Sequence, residues 1–188
     1  MLMPSLAFWI YRKHGGKAFN DVRPIYRGLF CAMLGDFFLD FHQYKGNNGP
    51  WFIIGMLSFL LMQVVYMRNF RKMPEYKGVS TVMKVFYVFL HLFLNYNLLP
   101  KLPSDLQIPI LFYTFFLAGM AAISSGVGLR MGLGGFIFLV SDAMIGANIA
   151  KLGIPFGKEI VIVTYLVAQF LIITDWSRKI LKSKKRTD

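Results

Sequence analysis

Six stretches of this 188-residue chain are long and apolar enough that no compact water-soluble fold of this size has room to bury them all. They run roughly over Pro24–Phe41, Trp51–Met67, Ser80–Leu98, Ile108–Ser125, Gly132–Ala150 and Glu159–Trp176. Each falls within the about 17–25 residues that cross hydrocarbon as a helix. Apolar residues make up 56% of the chain and charged residues 16%, against about 25% charged in an ordinary soluble domain. In lipid, backbone groups must be satisfied within the segment or by a closed barrel, and barrel-like alternation is absent. The expected fold is therefore all-α, a polytopic membrane bundle of about six transmembrane helices. Turns are marked by Gly46-Asn47-Asn48-Gly49-Pro50, by Met73-Pro74-Glu75, by Pro100, Pro103 and Pro109, and by Pro155. Met1–Tyr11 is apolar but too short to span and lacks the basic start of a signal peptide, so it reads as a helical stub. The chain divides into this stub with its basic segment (1–23), the bundle (24–176) and a basic tail (177–188).

Charge orients the spans. Six crossings place 17 Lys and Arg on the side of the stub's C-terminal flank and the tail, and only Lys45, Lys101, Lys151 and Lys158 on the other. The first side is expected to be cytosolic. The net charge of +12 then belongs to a membrane surface and to anionic headgroups rather than to nucleic acid.

Three carboxylates lie where lipid penalises them. Asp36 and Asp40 are in the first span and Asp142 is in the fifth. An ionised Asp at the bilayer centre costs about 2.5–3.5 kcal/mol on insertion scales, unless it faces a bundle interior or a watery cavity. Asp36 lies about 18 Å from the cytosolic start of its span and Asp142 about 15 Å from that of its own, at 1.5 Å per residue. The two spans run in the same direction, so the carboxyls are expected at similar depth and facing one another. Asp40, one turn further on, is expected near the far surface. Gln63 and Tyr66 share a face of the second span, Tyr165 and Gln169 a face of the sixth beside Thr164, and Ser141 and Asn148 a face of the fifth. Gly135 and Gly146 lie on the Asp142 side and admit close approach of a neighbour.

Other chemistries find no motif. His14, His42 and His91 are dispersed, and no HExxH, CxxC, GxSxG or Walker loop is present, so neither metal nor cofactor is expected. Cys31 reads as a small packing residue, and His91 as a packing or hydrogen-bonding one.

Several segments resemble the YhhN-like family of integral membrane lysoplasmalogenases. These are Gly28-Leu29-Phe30 with Met33-Leu34-Gly35-Asp36-Phe37-Phe38-Leu39; Gly55, Phe59 and Tyr66; Gly135-Phe136-Ile137-Phe138-Leu139-Val140-Ser141-Asp142 with Asn148; and Thr164-Tyr165-Leu166-Val167-Ala168-Gln169. The resemblance runs from about Gly28 to Trp176. This chain departs from the family's usual about eight spans. It also has Met3 before Pro4 where a family helix starts with Lys-Pro, and Gln63 where many members carry His.

The resemblance implies a hydrolase that cleaves the vinyl ether of a lysoplasmalogen into a fatty aldehyde and glycerophosphocholine or glycerophosphoethanolamine. Such a reaction asks for one carboxylic acid and one carboxylate, the expected roles of Asp36 and Asp142. Gln63, Tyr66, Ser141, Asn148, Tyr165 and Gln169 are the expected substrate-binding residues. The expected partners are the lysophospholipid substrate and membrane lipids. Self-association into a homo-oligomer is left open. Two other functions stay in view: a weakly active or inactive lysolipid binder, favoured by Gln63, and a small proton-coupled transporter. For a eukaryotic source the expected compartment is an internal membrane such as the endoplasmic reticulum, with a dibasic-like tail at Lys184–Asp188.

Overall fold

The structure, a computed structural model, describes residues 2–14, 19–45, 50–153 and 155–184. Seven α-helices account for nearly all of them: α1 (Leu2–His14), α2 (Phe19–Tyr44), α3 (Trp51–Phe70), α4 (Thr81–Leu98), α5 (Ser104–Val127), α6 (Leu129–Ile149) and α7 (Gly157–Lys184). No strand occurs among the described residues. The turn at 46–49 and the tail at 185–188 lie outside them. Helices α3 to α7 are long and apolar enough to cross a membrane, so the chain is an all-α, integral, multi-pass membrane protein. The expected count was six. Helix α2 is long enough at 26 residues, but Arg27, Asp36 and Asp40 interrupt its apolar stretch, so five spans stand on length and composition. The stub forms α1.

Local chemistry explains where the helices begin and end. Ser80 caps α4, its Oγ accepting from the Met83 N–H at 3.3 Å, which puts the start within one residue of the expected position. Helix α5 starts four residues earlier than expected, because Pro109 sits in its second turn and forgoes a single ladder bond there. Helix α7 runs eight residues past Trp176: it contains no Gly or Pro after Gly157, and Lys179 pairs with Asp175 one turn back at 3.7 Å. Residues expected as the start of a basic tail are thus the last turns of a helix. Helices α5 and α6 are joined by Gly128 alone. Its φ of 155° and ψ of 165° lie in a region open to glycine, which lets the chain reverse in one residue.

The chain packs as two units. The first comprises 1–69 and 173–188, and so holds α1, α2, most of α3 and the end of α7. There α2 and α3 are antiparallel and closely packed. A Cβ at Gly28 would run into the Tyr66 ring, one at Gly35 would lie 2.6 Å from the Phe59 ring, and one at Gly55 3.0 Å from Leu39. These pairs keep a constant register, which sets Asp36 level with Ser58 and Gln63 level with Cys31. Tyr66 is fully buried and meets Trp176 edge-on, ring centroids 5.5 Å apart, so the end of α7 closes on α3. At the basic end, Lys13 Nζ lies 4.3 Å from the Trp9 ring centroid. Lys13 holds its proton less tightly than an ordinary lysine, through partial burial first and the neighbouring Arg178 second.

The second unit, residues 70–172, holds α4, α5, α6 and the start of α7. Small residues set its spacing. Gly135 faces Ser124 and the Ala121 Cα, and Gly132 faces the Ser125 backbone, so α5 and α6 are in near backbone contact. Gly134 meets α7, where a Cβ would be 2.7 Å from Ile172 Cγ1 and 3.1 Å from the Ala168 carbonyl oxygen. Gly146 meets only Leu98 Cδ1, at 3.3 Å. Gly134→Ala should therefore destabilise the protein by about 1–3 kcal/mol through overpacking. Gly146→Ala should be neutral or slightly stabilising, since glycine within a helix costs about 0.5–1 kcal/mol against alanine. Thermal unfolding of both variants in detergent tests the contrast, and equal midpoints would count against this packing. Helix α4 is the least covered, with only 17% of its span buried, and Val82, Val85, Val88, Phe89 and Leu92 form the surface that lipid must solvate.

Candidate functional site

The expected site residues divide between the units: Asp36, Gln63 and Tyr66 belong to the first, and Ser141, Asp142, Asn148, Tyr165 and Gln169 to the second.

In the first unit the informative group is Gln63. Its side chain is fully buried, and neither Nε2 nor Oε1 has a hydrogen-bond partner among the described residues. A buried amide lacking both bonds is costly, and native structures hold few such groups unless a water or ligand completes them. Along the α2–α3 register Gln63 lies about five residues, or roughly 7 Å, from the level of Asp36. Asp36 is half-buried on α2, and Asp40, one turn on, is exposed. Tyr66 is held in the packed core against Gly28 and Trp176.

In the second unit the Tyr113 hydroxyl on α5 donates to Asp142 Oδ2 on α6. The sequence reading missed Tyr113. The available signal was a phenol in the middle of an apolar span, where its O–H has to find an acceptor. Next to Tyr113, Thr114 Oγ1 accepts from the Asn95 side-chain amide at 3.0 Å, and Asn95 also reaches the His91 carbonyl at 2.7 Å and its Nδ1 at 3.1 Å. His91 is thus a hydrogen-bonding residue, as expected. Asn95 and Thr114 were not anticipated. Together these groups form a polar layer across α4, α5 and α6 at the depth of Asp142.

The other residues of the second unit are engaged in packing. Ser141 Oγ donates to the Val161 carbonyl at 3.0 Å and so ties α6 to α7. Thr164 Oγ1 donates to the Ile160 carbonyl at 2.6 Å, one turn back in its own helix. The Tyr165 ring meets Phe138 edge-on at 5.8 Å, and Gln169 is fully buried. Asn148 is exposed at the end of α6, where its amide abuts Gly157 and would clash with any Cβ there. Ser124 and Ser125 each donate to a carbonyl three residues back, so neither hydroxyl is presented as a nucleophile. A cavity of about 340 Å³ runs between α4 and α6, lined by Leu90, Leu94, Phe136, Val140, Ala143 and Met144 among others. Its lining residues lie on a face of α6 well away from that of Asp142.

Asp142 precedes the end of α6 by seven residues and Asp36 precedes the end of α2 by eight. Each carboxyl therefore sits about two turns, some 10–12 Å, before the C-terminal end of its own helix.

Residues 1–176 match the YhhN family, so the chain belongs to that family. It is similar to the lysoplasmalogenase TMEM86A of Bos taurus, at 25% identity over 90% of this chain and 73% of the relative. No solved structure matches it.

Proposed function

Starting from membership of the YhhN family, we propose that this protein is a membrane hydrolase that cleaves the vinyl ether bond of lysoplasmalogens, with Asp36 and Asp142 as its acid and carboxylate. The observation that carries this reading is an intramembrane carboxyl on each of two helices, each about two turns from its helix's C-terminal end. The name of the Bos taurus relative supports the substrate class.

One carboxylic acid protonates the β-carbon of the vinyl ether, and the C=C π pair forms the new C–H bond. The resulting oxocarbenium is stabilised by the carboxylate. Water adds to the cationic carbon and returns a proton to the first group. The hemiacetal then breaks its bond to the glycerol oxygen, which takes up a proton, and aldehyde and glycerophospho alcohol are released. Atoms balance with one water consumed. Gln63 supplies a buried donor and acceptor suited to the attacking water or to a glycerol oxygen. Tyr66, Ser141, Asn148, Tyr165 and Gln169 complete the proposed substrate site. The competing reading is a lysolipid binder without turnover, favoured by Gln63, because an amide cannot exchange a proton near pH 7 as a His can. Purified protein given a lysoplasmalogen in detergent should release aldehyde. Saturable binding with no aldehyde would establish the competing reading instead.

Helix α2 completes the bundle as a sixth span, and the 17-to-4 cationic asymmetry puts the end of α1 and the end of α7 in the cytosol, in an endoplasmic reticulum setting for a eukaryotic source. With Cys31→Ser as background, single cysteines at Arg12 and Lys182, both exposed, should be labelled by an impermeant thiol reagent from the same side of sealed vesicles. Labelling from opposite sides would leave α2 outside the set of spans.

A further inference from the structure

We propose that the cavity between α4 and α6 is a docking site for one lysophospholipid molecule, whose single hydrocarbon chain lies along α6 and whose phosphate meets Lys151 and Lys101. The whole site lies within the unit of residues 70–172. It stands apart from the proposed hydrolase site and needs neither Asp36 nor Asp142. Residue spacing makes the cavity. Leu90 and Leu94 share a face of α4, and Phe136, Val140, Ala143 and Ala147 share a face of α6. The two alanines leave the space that larger side chains would fill. From Phe136 to Ala147 the lining follows about 16 Å of helix axis. Its inner end is shut where the Phe86 ring meets Phe136, centroids 6.1 Å apart. The result is a blind apolar slot parallel to the helices, the direction in which lipid chains run. Its volume of about 340 Å³ admits one extended chain and not the pair of a diacyl lipid.

The open end of the slot is polar and cationic. Asn97, on the lining there, gives one amide N–H to the Phe93 carbonyl at 2.7 Å and keeps a second N–H and its Oδ1 for an outside group. Leu152, also on the lining, is folded back over the end of α6 by its N–H on the Ala147 carbonyl at 3.1 Å. That turn sets Lys151 at a φ of 53°, a left-handed position where glycine is usual and a side chain is strained. Lys101 follows Leu98 at the same end of α4. Both lysines are exposed, and neither is ion-paired with Asp105, Glu159 or another carboxylate among the described residues. A phosphodiester brings a permanent negative charge and several acceptor oxygens to these two ammonium groups and the amide. A lysophospholipid joins that headgroup to one chain, which is what the mouth and the slot each ask for.

The test gives the protein, in phosphatidylcholine nanodiscs, a lysophosphatidylcholine with a photoreactive diazirine at the end of its chain. The cross-link should fall at the inner end of the slot, on Leu90 or Phe136. Unlabelled lysophosphatidylcholine should abolish it, although diacyl lipid is in excess throughout. Ala143→Phe, which fills the slot, should abolish it too. Lys101→Gln and Lys151→Gly, the second of which keeps the turn, should each weaken competition by unlabelled lysolipid about two- to fivefold, the size of one exposed ion pair. Cross-links spread over the lipid-facing surface and indifferent to unlabelled lysolipid would overturn the site and mark the slot as filled by ordinary bilayer lipid. That result is read on the wild type and does not depend on how any variant folds. Unchanged competition in both lysine variants would overturn the placement of the phosphate. Lysophosphatidylcholine carries an ester in place of the vinyl ether, so the outcome is independent of whether the protein releases aldehyde from a lysoplasmalogen.

Discussion

Asp36→Asn and Asp142→Asn should each cut aldehyde release by about 10²–10⁴-fold, the range contributed by a positioned proton donor or acceptor. Neither change should unfold the protein. Asparagine keeps the volume of aspartate, and at position 142 its amide oxygen still accepts the Tyr113 O–H. The internal control is Asp40→Asn. Asp40 is exposed one turn beyond Asp36 on the same helix, so its loss should leave kcat within about a factor of two if charge alone on this face is not what matters. Aldehyde release measured on detergent-purified variants of matched monodispersity is the readout. Full activity in either Asp36→Asn or Asp142→Asn would remove that residue from the mechanism. Equal losses in all three variants would point to a general electrostatic or folding defect.

Gln63→Leu should move stability and activity in opposite directions. The wild-type amide is fully buried and lacks a partner on both Nε2 and Oε1 among the described residues. Leucine fills similar space and removes both polar atoms, so the variant should gain about 1–3 kcal/mol, the desolvation penalty of an unsatisfied buried group. Aldehyde release should fall at least about tenfold, because the group proposed to hold water or substrate is gone. A stability–activity trade-off of this kind is typical of polar groups retained for function. Thermal unfolding and turnover on one preparation decide the matter. A variant that is both more stable and fully active would make Gln63 an unneeded polar group, and one that is less stable would mean that the amide is satisfied in the folded protein.

The membrane class and most of the helices were legible in the chain because hydrocarbon imposes a length and a composition that the residues report directly. Ser80 marked the start of α4 for the same kind of reason, a local hydrogen bond written in adjacent residues. The helix ends that departed from expectation did so where a local rule was outweighed. Pro109 lies in the second turn of a helix that begins at Ser104, where it forgoes only one ladder bond, and α7 continues past Trp176 because nothing between Lys158 and Lys184 stops a helix. Helix α2 stayed apart from the five apolar spans for the reason that made it interesting, its Arg27, Asp36 and Asp40.

At the site, periodicity placed Gln63 with Tyr66 and Tyr165 with Gln169, since residues three or four apart share a helix face whatever surrounds them. It could not name the neighbours. That Ser141 spends its proton on the Val161 carbonyl, that Asn95 joins His91 to Thr114, and that Tyr113 meets Asp142 are facts about which helix stands beside which. Those adjacencies come from small residues such as Gly132, Gly134 and Gly135, whose missing side chains let particular backbones approach. Spans, helix faces and charge bias are one-dimensional properties, carried by each segment alone against water and lipid. Polar partners belong to pairs of segments, and only packing in three dimensions selects them.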